Sequence, residues 1–130
     1  MNVRTVSAIV TVFALVQIAL AVLLVFAPAE TASVLFAGTE VPPVLLSLVG
    51  AALFGFGQLG WMTRQTPLGG IYGRPALMAN LGHFVIGGLA LARAADTPVL
   101  WGAAAFYLVG AVFYGALLFS APKAPAAAGH

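Results

Sequence analysis

The sequence predicts an all-α polytopic membrane protein: a four-transmembrane-helix antiparallel bundle, with a short interfacial helix between the first and second spans. Three observations carry this. Of the 130 residues, 62% are hydrophobic and only 6% charged, with a mean hydropathy of +1.09. Soluble domains carry about 25% charged and about 45–50% apolar residues, so no water-soluble fold of this length covers such a chain with polar surface. Four apolar runs, at about 5–27, 44–63, 75–95 and 98–120, each reach the roughly 20 residues needed to cross a hydrocarbon core. Asp, Glu and Lys are absent from all four, and Arg93 stands close enough to an end for its head group to snorkel to the interface. Residues 1–120 thus read as one domain, and the Pro- and Ala-rich 121–130 as a disordered tail.

The first run follows Arg4 and ends at Ala27-Pro28-Ala29, which resembles a secretory signal with its cleavage site. The run is longer than the about 7–15 residues of a signal core, so an uncleaved helix is expected. Residues 28–43 place Glu30, Thr31 and Ser33 beside Val34, Leu35 and Phe36, a pattern suited to a helix lying in the interface. Gly38 and Pro42-Pro43 close that segment. The second run is followed by a glycine-rich stretch, 64–74, read as a tight loop. Asp96 or Thr97 caps the last run, with Pro98 at its first helical position.

The net charge of +2 comes from too few basic residues to form a nucleic-acid surface. It serves as a topology signal instead. Arg4, Arg64, Arg74 and Lys123 fall on one side against Arg93 alone, which predicts both termini in the cytoplasm. Glu30, Glu40 and Asp96 all fall opposite, and Trp61 and Trp101 lie near opposite interfaces, where indoles prefer to sit. The absence of cysteine excludes disulfides, thiolate metal sites and thiol nucleophiles.

Each run carries a stripe of small or polar residues at the i+3/i+4 spacing of one helical face. The stripes are Ser7, Val10, Ala14, Gln17 and Ala21; Ser47, Ala51, Gly55, Gln58 and Met62; Ala76, Asn80, His83, Gly87, Ala90 and Ala94; and Ala103, Tyr107, Gly110, Tyr114 and Leu118. Helix backbones approach closely in a membrane where side chains are small, so the four stripes are expected to face a common axis. At about 1.5 Å per residue, Gln58, Asn80 and Tyr114 each lie about 9 Å inside the cytoplasmic ends of their helices. His83 follows, with Gln17 and Tyr107 deeper. The expected result is a polar layer of Gln58, Asn80, His83, Tyr114, Gln17 and Tyr107 that binds the helices by hydrogen bonds or lines a cytoplasm-facing pocket. Arg64 and Arg74 form its rim for an anionic lipid or solute. Gly50, Gly55, Gly57, Gly60, Gly82, Gly87 and Gly88 are expected at helix contacts, within the chain or with a partner.

His83 stands without a second histidine in the spans, so a neutral, hydrogen-bonded role is expected rather than haem or metal ligation, and no cofactor or metal is called for. TPLGGIYGR lacks the strand and the GK[ST] ending of a phosphate loop. No Ser-His-Asp order, carboxylate pair or H-E-x-x-H appears, and the chain reads as a non-enzyme.

Small multidrug-resistance transporters share the four-helix plan but depend on a glutamate in their first helix, where this chain has Gln17. Fluoride channels of the dual-topology kind carry a Phe-Thr-Ser signature that HFVIGG does not match. The segments QLGWMTR (58–64), GGIYGRP (69–75) and NLGHF (80–84) resemble a signature of the small four-helix bacterial inner-membrane proteins of DoxX-like type. That resemblance implies the architecture and no defined activity. The chain is therefore expected to act through contacts with lipid and with other transmembrane helices, as an accessory subunit of a membrane complex or as a homo-oligomer. The alternative is a carrier or channel for a small solute or lipid.

Overall fold

A computed structural model describes residues 2–66 and 70–120 and contains five helices: α1 (Val3–Phe26), α2 (Pro28–Leu35), α3 (Pro43–Thr63), α4 (Gly70–Ala94) and α5 (Pro98–Ser120). All but α2 are long and apolar enough to cross a membrane, with charges confined to their ends. The chain is an all-α, multi-pass membrane bundle.

The helix starts follow local chemistry. Asn2 accepts the Arg4 backbone N–H through Oδ1 at 3.2 Å and opens α1. Pro28, Pro43 and Pro98 each occupy the first helical position, where a missing N–H leaves no bond unmade. Thr97, rather than Asp96, caps α5, its Oγ1 accepting the Leu100 N–H at 3.3 Å. At Ala27 the chain leaves α1 and turns into α2. Thr31 Oγ1 donates to the Ala27 carbonyl at 2.7 Å and holds that corner. The segment after α2 turns at Gly38, whose φ of +84° is open to glycine and strained for other residues.

One boundary differs from expectation. Residues 70–74, expected in a loop, form the first turns of α4, and Pro75 lies inside the helix. Pro75 is the sixth residue of α4, past the first turn, so it forfeits the backbone bond to the Ile71 carbonyl and crowds that carbonyl with its ring, and the helix continues through it. The tail at 121–130, including Lys123, and the centre of the α3–α4 connection lie outside the described residues.

The four spans pair off. α1 lies against α3 and α4 against α5, with α3 and α4 meeting more sparsely. In the first pair α3 turns Gly50, Gly57 and Gly60 to α1. A Cβ at Gly50 would stand 2.9 Å from Leu24 Cβ and 3.0 Å from the Ala21 carbonyl, and one at Gly57 would stand 3.1 Å from the Ala14 carbonyl. As α3 rises in number its partners on α1 fall, so the two run antiparallel with backbones almost touching. The second pair interlocks by exchange: the Tyr107 ring of α5 covers Gly87 of α4, and the Phe84 ring of α4 covers Gly110 of α5. Both contacts are of the small-residue kind that replaces hydrophobic driving force in lipid.

Between the pairs, aromatic rings fill the space. Phe13 of α1 meets Phe84 edge-on at 5.2 Å, Phe106 at 5.2 Å and stacks on Phe113 at 5.6 Å. With Val6, Val10, Leu77, Tyr114 and Leu117 these rings form one apolar cluster near the chain's first residues. A second cluster, Ala21, Leu24, Leu46 and Leu53, occupies the opposite end. There Ala32 and Phe36 of the α2 region, and Val41, pack against it. Val12, Leu48, Ile86, Val109 and Val112 point outward, a lipid-facing surface in a spanning protein.

Candidate functional site

Three helices deliver polar side chains to residues 56–60 of α3. On α1, Gln17 follows Phe13 by one turn on the buried face and is 1% exposed. Its Cβ lies 3.2 Å from where a Cβ on Gly57 would stand. On α5, Tyr114 is 2% exposed, stacks on Phe84 at 5.4 Å, and directs its hydroxyl to the next glycine, 3.8 Å from a Cβ built on Gly60. On α4, Asn80 is 1% exposed, one turn before Phe84. His83 is half-buried and stacks on Phe56 of α3 at 4.3 Å, with Phe84 and Tyr107 edges at 5.5 and 5.2 Å. Its neighbours are rings.

These groups do not satisfy one another. Asn80 Nδ2 donates 3.1 Å to the Ala76 carbonyl of its own helix, and Thr11 and Thr63 likewise donate to carbonyls one turn back. Gln17 Nε2 and Oε1, Asn80 Oδ1, His83 Nε2 and the Tyr114 hydroxyl are buried and make no hydrogen bond with any described group of the protein. The expected interhelical hydrogen bonds are therefore not formed. Within a hydrocarbon slab each unsatisfied polar group costs several kcal/mol, and the described residues hold five such atoms on α1, α4 and α5.

Gln58 does not belong to this layer. It is exposed, as are Ala51, Gly55 and Met62 of the stripe expected to face inward. The inward residues are Leu46, Gly50, Leu53, Gly57 and Gly60. The reason is steric: α1 comes so close that only a residue without a side chain fits at 50 and 57, and this rotates Gln58 away. A Cβ on Gly55 or Gly82 would meet nothing within 4 Å, so neither packs against another helix among the described residues, whereas Gly50, Gly57, Gly60, Gly87 and Gly88 do. Tyr107 is partly buried, covers Gly87, and packs against His83 and both apolar clusters.

The basic rim also changes. Arg64 folds back over Trp61, its guanidinium carbon 3.8 Å from the ring centre, and donates to the Trp61 carbonyl at the end of α3. A cation at that end complements the helix dipole and the indole face. Arg74 is exposed within α4 rather than poised in a loop. Between the polar layer and this end stand Val6, Val10, Leu77 and Leu117, so the layer is occluded rather than open on that side. An open groove of about 840 Å³ lies at the opposite end, between α2 and residues 37–43, with Ala32, Ser33, Phe36 and Glu40 in its lining.

Sequence reasoning missed the ring packing that encloses the layer. Its signal was present in complementary register: Phe84 and Gly110, Gly87 and Tyr107, one large and one absent side chain on helices joined by a short turn. No protein-family model, curated protein or solved structure matches this chain.

Proposed function

We propose that this is a non-enzymatic protein of the bacterial inner membrane, with both termini in the cytoplasm, that works through contacts with other transmembrane helices. It does so as a homo-oligomer or as an accessory subunit of a larger membrane complex. The observation that supports this is Gln58, a primary amide exposed on the outer face of α3, six residues before Arg64 and inside the apolar span. Along the same outer face run Ala51 and Gly55, with nothing within 4 Å of a Cβ on Gly55. An amide turned to acyl chains has no hydrogen-bond partner there, whereas one turned to a neighbouring helix gains about 0.6 kcal/mol, and in some pairs 1–2. The small side chains beside it let that helix come close.

The test is mass determination on the full chain, extracted from its native membrane in mild detergent, beside Gln58→Leu and Gly55→Ile. The expected wild-type particle exceeds one chain plus its lipid belt, and both variants fall to a single chain with unchanged helical circular dichroism. A wild type that runs as a lone monomer refutes the proposal. Reporter fusions at residue 1 and at residue 130 test the orientation separately, and periplasmic activity from either refutes it.

A further inference from the structure

We propose that the groove between α2 and residues 37–43 seats the headgroup of a membrane phospholipid ending in a primary ammonium, with Glu40 as its counter-ion. The inference does not depend on α3 having a partner helix.

The groove holds about 840 Å³, within the roughly 300–1,000 Å³ of sites that take small molecules. It is concave because the chain turns around small residues. Ala29 and Ala32 leave one side of α2 without bulk, and the chain bends at Gly38, whose φ is +84°. The Thr39 N–H donates to the Phe36 carbonyl at 2.9 Å and fixes that bend. Phe36 and Val41 line the groove and also pack against Ala21, Leu24, Leu46 and Leu53, so its lining is continuous with the apolar interior.

The neighbouring chain marks the level of the groove in the membrane. Phe26 at the end of α1, Val34 on α2 and Val44 at the start of α3 are exposed apolar side chains. Helices that lie in the interface bury such residues at the boundary of headgroups and acyl chains while their charged residues stay in the headgroup layer. The groove therefore opens onto lipid headgroups.

The lining selects among headgroups. Glu40 is exposed, and an ionised carboxylate only accepts hydrogen bonds. Ser33 spends its hydroxyl hydrogen on the Glu30 carbonyl at 2.7 Å, which leaves its oxygen to accept. None of the described lining residues is basic, and this end of the bundle carries Glu30, Glu40 and Asp96 against Arg93. A ligand answering this set brings positive charge and hydrogen-bond donors. A primary ammonium brings both, with three N–H groups, and its bond to a carboxylate is of the strong, charge-assisted kind. A quaternary ammonium brings charge without donors. An anionic headgroup is repelled by the acids. The phosphate of a zwitterionic lipid stays outside the groove, where no lining carboxylate opposes it.

The experiment uses the full chain in mild detergent, with native mass spectrometry counting bound lipid. Phosphatidylethanolamine, phosphatidylcholine and phosphatidylglycerol of identical acyl chains are added in turn. Phosphatidylethanolamine is expected to bind several-fold more tightly than the other two. Glu40→Gln lowers it to the level of phosphatidylcholine, and Ala29→Phe, whose ring fills the groove, does the same with unchanged helical circular dichroism. Glu30→Gln removes an equal charge from α2 at a residue outside the lining and leaves the preference intact. No headgroup preference, a preference for either other lipid, or an equal loss in Glu30→Gln and Glu40→Gln overturns the proposal. Ethanolamine that displaces the lipid at equal concentration also overturns it, in favour of a soluble amine. A particle that loses a whole chain in Ala29→Phe overturns it in favour of a protein contact.

Discussion

Gly110→Ala tests one of the two tightest glycine contacts in the bundle, the other being Gly87 against Tyr107. A Cβ at this position would stand 2.5 Å from Phe84 Cδ1 and 2.7 Å from Cε1. Carbon atoms rest at about 3.5–4.0 Å, so the ring would have to withdraw by about 1 Å. It has nowhere to go. Phe84 is 0% exposed, with the rings of Phe13, Tyr107 and Tyr114 centred 5.2, 5.2 and 5.4 Å away. The helices must part instead, and overpacking of this kind destabilises by about 1–3 kcal/mol. Gly102 lies on the same helix with nothing within 4 Å, and alanine there is favoured by helix propensity by up to about 1 kcal/mol. The two substitutions are therefore expected to act with opposite sign. The assay is reversible unfolding of the full chain in mixed micelles of increasing dodecyl sulfate content, followed by far-ultraviolet circular dichroism. Phe84→Leu in the Gly110→Ala background should recover part of the loss, since the shorter side chain vacates the space where the new methyl falls. Equal stability of Gly110→Ala and wild type would refute the register of α4 on α5.

Three further substitutions have defined outcomes. Phe13→Ala removes the ring that joins α1 to α4 and α5, and is expected to destabilise by about 3–5 kcal/mol in the same assay. Phe119→Ala, at 87% exposure, stays within about 0.5 kcal/mol of wild type. Arg64→Gln removes the cation over Trp61 and should lower stability by about 0.5–1 kcal/mol while shifting the Trp61 emission. An unshifted emission would show that the guanidinium does not rest on that ring.

What the sequence revealed, and what it concealed, divide along one physical line. The spans were readable because length and apolarity alone define them. The short α2, the prolines at positions 28, 43 and 98 and the turn at Gly38 were readable because each is a local rule of backbone geometry. The face of α1 was also readable from its stripe of Val10, Ala14, Gln17 and Ala21, whereas on α5 only Gly110 and Tyr114 of the expected stripe are buried and Leu100, Ala104 and Leu117 complete the inward face. The extent of α4 was not readable, because a glycine-rich lead-in and Pro75 both argue locally for a loop, and only the continued helix shows that one missing bond was tolerated.

The rotation of α3 is the instructive failure. In water a helix turns its apolar side inward, so pattern fixes rotation. In lipid both sides are apolar, and the only mark left is the stripe where side chains are small. α3 carries two such stripes about 100° apart, one through Gly50, Gly57 and Gly60 and the other through Ala51, Gly55 and Gln58. Which of them turns inward depends on α1, whose Ala21 and Ala14 carbonyls approach positions 50 and 57 too closely for any side chain. Ala51 and Gln58 carry side chains, so the second stripe does not fit there. A polar residue in a span normally finds the interior, as Gln17 and Asn80 do. Gln58 is held out by the packing of its own helix, and that exclusion gives its exposure meaning. The amide and the bare glycine of that face serve nothing among the described residues, which is why the proposed partner helix is assigned to it.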